Sequence, residues 1–321
     1  MGEIQDNQGR KKGVVIKSTG SWYVVETSEG KIIQARLAGR IKMDDLKTTN
    51  PLAVGDIVYY SQDESDTTIH SFEPRKNFIV RQSPRKKHDM HLIAANVDQA
   101  CLIITPKSPS LKLGFIDRFL MTTEPRDIET TLIVNKVDLL NSAERALTEE
   151  IMALYVGLGY KVIYTSTVSR DGLEELKTLL SDKTSLISGQ SGVGKSSLVN
   201  ALQPDLWLPT QEISDYSGKG THTTTFAEMH LLEFGARIID TPGIKTLSFN
   251  NLVVEDVAHN FREFFERLGD CKFSNCLHRN EPNCAVKKGI SDGSIAETRY
   301  QHYLQICDEI ESQNYWEIHE D

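Results

Sequence analysis

Gly189-Gln190-Ser191-Gly192-Val193-Gly194-Lys195-Ser196 follows the apolar run Ser185-Leu186-Ile187-Ser188 and opens a helical pattern over residues 195–202. A strand that turns through glycines into a helix brings backbone N–H groups together at a helix N-terminus, where they and the helix dipole hold an anion. In this frame Lys195 neutralises the β and γ oxygens of a bound triphosphate, and the Ser196 hydroxyl is placed to ligate Mg²⁺. Residues Gly189 through Ser196, with Ser197 beside them, are therefore the candidate phosphate contacts: Gly189, Gln190, Ser191, Gly192, Val193, Gly194, Lys195, Ser196 and Ser197. The competing reading, a Gly/Ser-rich surface turn, leaves both the strand before it and the helix after it unexplained.

Upstream, Asn135-Lys136-Val137-Asp138 follows a second apolar run, 131–135. A carboxylate at Asp138 accepts from both N1–H and the 2-amino group of guanine. Adenine offers neither donor in that arrangement and would leave the carboxylate unsatisfied. Asn135 would tie this loop to the phosphate loop, and the Lys136 stem would cover the base. Thr165-Ser166-Thr167, after the next apolar run, stands where a second base-contacting loop belongs, with Ser166 as the contact. Downstream, Asp240-Thr241-Pro242-Gly243 follows Ile238-Ile239: Asp240 would hold Mg²⁺ through water and the Gly243 N–H would meet the γ-phosphate. Gly218-Lys219-Gly220-Thr221-His222-Thr223-Thr224-Thr225 lies between the two phosphate elements, as a switch loop must. It offers Thr224 to Mg²⁺, with Thr223 as the alternative.

The base-reading tetrapeptide precedes the phosphate loop, the reverse of the usual order, so the chain resembles a circularly permuted GTPase. The γ-phosphate sensor then ends the nucleotide domain, and whatever follows residue 243 is attached to it directly. Many GTPases place a water-orienting Gln after that Gly, but Ile244 stands here and has no polar atom to offer. His222 is the nearest titratable side chain in the switch loop. A neutral imidazole can orient or accept from the attacking water, which makes His222, with Lys195 and Thr224, the catalytic candidate.

Apolar runs at 99–105, 131–135, 161–166, 184–188, 227–233 and 237–240 alternate with helical spacing at 115–123, 142–158, 173–180 and 195–202. That alternation predicts a largely parallel α/β sheet. Ahead of it, short strands at 13–17, 21–27, 31–37, 56–60 and 67–72 predict a small β-barrel of the OB type, with an SH3-like barrel as the alternative. The expected organisation is an OB-like barrel over 1–75, a basic linker over 76–95, the permuted nucleotide domain over 96–248, and a zinc-binding helical domain over 249–321 with helices at 254–268 and 294–312.

Five cysteines is an odd number, and Cys271, Cys276 and Cys284 crowd around His278. Three thiolates and an imidazole are the donor set of a closed tetrahedral Zn²⁺ site, which predicts one structural zinc with no open position for catalysis. Apolar residues make up 39% of the 321-residue chain, with no apolar run long enough to span a membrane and no signal-peptide pattern at the start, so a soluble, cytoplasmic monomer is expected. The net charge of −9 argues against a polyanionic partner, but it is unevenly spread: residues 1–90 hold 15 Lys/Arg against 12 Asp/Glu, a net of +3, which leaves −12 for the rest. Arg75, Lys76, Arg81, Arg85, Lys86 and Lys87 fall in one acid-free stretch and are the candidate RNA contacts.

The barrel, the permuted order and Cys271-x₄-Cys276-x-His278-x₅-Cys284 together resemble the bacterial ribosome small-subunit-dependent GTPases, the RsgA or YjeQ family. Ala94-Ala95-Asn96-Val97-Asp98, Asp117-Arg118-Phe119-Leu120 and Gly220-x-His222-Thr223-Thr224-Thr225 look like its segments. The resemblance implies a GTPase, with Mg²⁺ and GTP/GDP as ligands, that binds the small ribosomal subunit and its rRNA late in assembly. It also implies that His222 is the catalytic His and Thr224 the switch Thr. Two rival readings are a nucleotide-gated RNA-binding scaffold with negligible turnover and a permuted GTPase of large-subunit assembly.

Overall fold

The computed structural model describes residues 9–39, 48–63, 66–82, 90–206, 227–240, 249 and 252–319. Five strands open the fold: β1 (Lys11–Ser18), β2 (Tyr23–Thr27), β3 (Ile32–Leu37), β4 (Ile57–Gln62) and β5 (Thr67–Phe72). Alternate residues point inward, so Val15, Tyr23, Val25, Ala35, Leu52, Val58, Tyr60 and Ile69 form one closed core. The strands run β1-β2-β3-β5-β4, and β4 returns to pair with β1, while β3 and β5 are parallel. That closure is the OB order and decides the question the sequence left open.

The stretch expected as a basic linker contains β6 (Phe78–Gln82) and β7 (Met90–Ala95), paired antiparallel. Phe78, Ile79 and Val80 supply one apolar strand and Leu92 to Ala95 the other, a pattern obscured by the cations around it. The ladder packs between barrel and nucleotide domain. Gly55, at φ +94, meets it so closely that a Cβ there would stand 2.0 Å from the Ala95 carbonyl oxygen.

The nucleotide domain is a six-strand sheet in the order β10-β9-β8-β11-β13-β12, with β8 (Gln99–Ile104), β9 (Glu129–Asn135), β10 (Lys161–Thr165), β11 (Thr184–Gly189) and β13 (Arg237–Asp240) parallel and β12 (Glu228–Leu231) antiparallel at its end. β8 is buried on both faces, as central parallel strands are. Leu102, Leu132, Val134, Leu186 and Ile239 face α1 (Leu113–Thr123) and α2 (Ser142–Gly157). Cys101, Ile103, Ile133, Ile187 and Ile238 face α3 (Leu173–Leu180) and α4 (Lys195–Leu202). β12 also pairs with β1 of the barrel, Lys17 opposite Glu228, so one sheet runs through both units.

The helix expected over 254–268 is broken into α5 (Val254–His259), α6 (Arg262–Phe265) and a 3₁₀ turn, Leu268–Asp270. The break turns both Phe261 and Phe264 inward onto Tyr303, with ring centroids 5.7 and 5.0 Å from it. After the cysteine loop come α7 (Ala285–Ser291) and α8 (Glu297–His319), the latter longer than its expected end at 312. No helix among the described residues is long and apolar enough to cross a membrane.

Candidate nucleotide site and metal centre

The parallel strands β9, β10, β11 and β13 all end on one edge of the sheet, where ligands of open α/β folds bind. Asn135, the last residue of β9, reaches across that edge and donates to the Val193 carbonyl at 2.8 Å. Its own side-chain oxygen accepts from the Thr165 hydroxyl at 3.1 Å. Gly194 makes this tie possible: its φ is +94, and a Cβ would come within 2.6 Å of the Asn135 amide nitrogen. Lys136 adopts a left-handed backbone, φ 62, and its ammonium donates to the Gly192 carbonyl at 2.6 Å and the Ser108 carbonyl at 2.8 Å. The base-reading and phosphate loops are thus joined by two side chains before any ligand is present.

Ser166 is fully buried and donates to Asp138 Oδ1 at 2.5 Å. Its oxygen also accepts from the Val168 and Ser169 N–H groups at 3.0 and 3.1 Å, which fixes its direction. Its hydroxyl therefore orients the carboxylate that would read the base.

In the phosphate loop Val193 is buried in the core, Gln190, Gly194 and Ser196 are half-buried, and Ser191, Gly192 and Ser197 are exposed. Lys195 opens α4 and its ammonium donates to the Gly189 and Gln190 carbonyls at 2.9 and 3.1 Å. Burial lowers its pKa, opposed by the charge of Asp240. Ile187 and Asp240 are paired across β11 and β13, so Asp240 stands beside the loop. Burial raises the Asp240 pKa, and its Oδ1 is buried without a described partner. A buried carboxylate oxygen with no donor among the described residues, next to a helix N-terminus and a lysine whose bonds go to loop carbonyls, fits Mg²⁺ and a nucleotide phosphate. His222, Thr223, Thr224 and Gly243 lie outside the described residues.

The second centre is built from a loop pinned by α8. The ligand atoms of Cys271, Cys276, His278 and Cys284 all lie within 4.8 Å of one another. His278 Nδ1 is 3.6 Å from Cys271 Sγ and 3.3 Å from Cys284 Sγ, separations that a tetrahedral ion with bonds of about 2.0–2.3 Å would span. The Tyr300 and Tyr303 hydroxyls donate to the His278 and Leu277 carbonyls at 2.7 and 2.8 Å, and Glu281 accepts from the Leu277 and Arg279 N–H groups. Burial lowers the His278 pKa, which favours the neutral imidazole a metal takes, and it pushes the Cys276 thiol up to about 12, so a bound cation would favour the thiolate there. The four residues could hold a zinc ion.

Arg75 is not an RNA-facing cation. Its side chain is 5% exposed and grips the buried Asp56 through Nε and Nη2 at 2.7 and 2.8 Å, because the strand turn at Asp56 needs a countercharge. Lys76 remains exposed, 3.8 Å from Asp98; the Arg81 side chain and Arg85, Lys86 and Lys87 lie outside the described residues. Sequence reasoning also missed Thr165 and the Ser108 carbonyl, whose roles appear only when strands far apart in the chain meet.

The chain matches the model of the RsgA GTPase over residues 72–250 and of the RsgA N-terminal domain over 12–69. It is 46% identical over 302 residues to the Small ribosomal subunit biogenesis GTPase RsgA of Flavobacterium psychrophilum, covering 92% of each chain. It is also 46% identical over 301 residues to the protein of that name from Cytophaga hutchinsonii, covering 92% of this chain and 97% of that one. Among solved structures, YjeQ from Thermotoga maritima superposes with a TM-score of 0.76 at 35% identity, covering 94% and 98% of the two chains. YloQ, a circularly permuted GTPase, gives a TM-score of 0.72 at 29% identity over 97% and 99%. With an OB-ordered barrel, a permuted nucleotide site and a Cys₃His cluster in one chain, the protein belongs to the RsgA GTPase family.

Proposed function

We propose that this chain hydrolyses GTP to GDP and phosphate while bound to the small ribosomal subunit, late in that subunit's assembly. The observation that carries the reading is the pre-tied site: Asn135 and Lys136 hold the base loop to the phosphate loop, and Ser166 aims Asp138. Asp138 accepts from guanine N1–H and the 2-amino group, and the loop from Gly189 to Ser197 receives the phosphates, with Lys195 moving from loop carbonyls to phosphate oxygens. Ser196 and Thr224, or Thr223 in its place, would ligate Mg²⁺, with Asp240 acting through water; the ion would neutralise charge on the β and γ oxygens. The Gly243 N–H meets the γ-phosphate, and His222 orients the attacking water. Cys271, Cys276, His278 and Cys284 hold one structural zinc.

The relatives' names carry the small subunit. With it we propose rRNA contacts made by the barrel and by Lys76, Arg81, Arg85, Lys86 and Lys87, in a cytoplasmic monomer. The zinc domain follows residue 243, so loss of the γ-phosphate would shift it together with α1, to which α8 is clamped. Co-sedimentation with isolated subunits tests this. The chain should pellet with small subunits in the presence of a non-hydrolysable GTP analogue, less with GDP, and with large subunits in neither state; equal binding to both subunits would refute it. His222→Ala should bind GTP normally and turn it over at least about ten-fold more slowly, within the range of a lost general-base contact.

A further inference from the structure

Trp22 ends the turn between β1 and β2, and its ring is 38% exposed. The turn is built to hold it. The Thr19 N–H and hydroxyl both donate to the Trp22 carbonyl, at 3.0 and 3.1 Å, and Gly20 takes φ +90. Tyr23 pairs with Ala35, which places Trp22 opposite Arg36 on the outer face, and the Arg36 guanidinium carbon stacks 3.7 Å from the indole centroid. Tyr23, Val25 and Ala35 are buried behind them, so neither Trp22 nor Arg36 contributes to the barrel core. Arg36 is exposed and forms no ion pair with a described residue.

An exposed cation–π pair adds little to the fold, and so gives little reason to hold a tryptophan in water. Barrels of this order take oligonucleotides on the β2–β3 face and the β1–β2 loop, and unpaired bases stack on aromatic rings and guanidinium planes. Stacking also suits a chain of net charge −9, because it adds contact energy without phosphate neutralisation. We infer that Trp22 and Arg36 form a platform on which one unpaired RNA base stacks. This rests on the small-subunit reading above and gives that reading a point of contact.

The full-length, metal-loaded protein should be titrated with an unstructured RNA of about 12 nucleotides, within the site size of such barrels, and separately with isolated small subunits. Trp22→Ala should weaken RNA binding by about 5- to 100-fold and leave the slope of log affinity against log salt unchanged. Trp22→Phe should restore most of the loss, and Arg36→Ala should weaken binding, by less than Trp22→Ala, because the guanidinium forms part of the same stacking surface. GTP turnover without RNA should be the same in all variants, which also reports that they are folded. Wild-type RNA affinity in Trp22→Ala overturns the platform. So does a loss seen on subunits but not on RNA, which would assign the pair to a protein partner. Failure of the unaltered chain to bind small subunits removes the proposed function, and the RNA titration then judges the platform alone.

Discussion

The β1–β12 edge and the zinc-domain joint meet the same nucleotide domain by opposite chemistry. The edge is wet: β1 and β12 share one backbone pair, flanked by Lys17–Glu228 at 2.9 Å with side chains 38% and 36% exposed, and by Arg237–Glu26 at 3.1 Å, while the rest of the barrel's contact runs through the buried β6–β7 ladder, where Val54 packs with Ile79 and Ala94. The zinc domain is joined by a dry ionic cluster. Asp117 of α1 is fully buried and accepts from Arg299 Nη1 at 2.7 Å, the Tyr155 hydroxyl at 2.9 Å and His302 Nδ1 at 2.5 Å. Arg299 donates with its remaining edge to both oxygens of Glu263, at 2.7 and 2.9 Å. Surface pairs contribute at most about 1 kcal/mol, whereas breaking a buried pair leaves a charge with no partner and no water. The difference teaches that the β1–β12 edge adds little to holding the barrel, which rests on the β6–β7 ladder, while α8 and α1 move together or not at all.

The largest test concerns the metal. α8 pins the Cys₃His loop through Tyr300 and Tyr303 and grips α1 through Arg299, so stripping the ion should unfold the zinc domain and expose α1. Structural zinc contributes roughly 10–16 kcal/mol in small domains. Hydrogen exchange after chelation should show loss of protection in α8 and α1 with the barrel unchanged; protection retained in α8 would show that the metal does not hold this joint.

Next in size is Arg299→Met, which takes the cation from Glu263 and leaves Asp117 only the Tyr155 hydroxyl and His302, and should cost about 3–5 kcal/mol in denaturant unfolding. Replacing all three by apolar residues of similar volume should recover most of that loss. If the single change proves neutral, the contrast between dry and wet joints fails.

A smaller effect follows from Asp240, whose pKa burial raises above the ordinary carboxylate value of about 3.9. The ligand-free fold then binds more protons than the unfolded chain just above that value, so its stability falls as pH rises through the window between the two pKa values. If, as proposed, Asp240 serves Mg²⁺ as a carboxylate, Mg²⁺–GTP affinity should fall as pH drops through the raised pKa, at a higher pH than an ordinary Asp would give. Isothermal titration across mildly acidic pH, with Asp240→Asn as the flat control, checks the sign. Smallest of all, Lys17→Ala should cost less than about 1 kcal/mol and lose even that at high salt. A larger loss would mean that the β1–β12 edge does more to hold the barrel than its exposed pairs allow.

The same contrast marks how far the sequence could be read. Local patterns were legible: the helices over 173–180 and 195–202 have their expected limits, since period and caps are encoded within a dozen residues. Barrel closure was not, because the β1–β4 and β3–β5 pairings leave no local trace that separates an OB from an SH3-like order. The β6–β7 ladder was hidden by cations that sit at its margins. In the site, Asn135, Lys136 and Asp138 announced themselves by spacing. The joint did not: Arg299 and Asp117 are 182 residues apart, and a lone Arg in a helix reads as a solvated face. Arg75 was misread for the same reason, since only folding brings Asp56 to it.

GTP turnover by the purified chain alone, with small subunits and with large subunits tests the central claim most directly. The account predicts slow turnover alone, acceleration by small subunits only, and loss of that acceleration in His222→Ala. Equal, slow turnover in all three conditions would contradict it and leave the site as one that binds GTP without being triggered by the subunit.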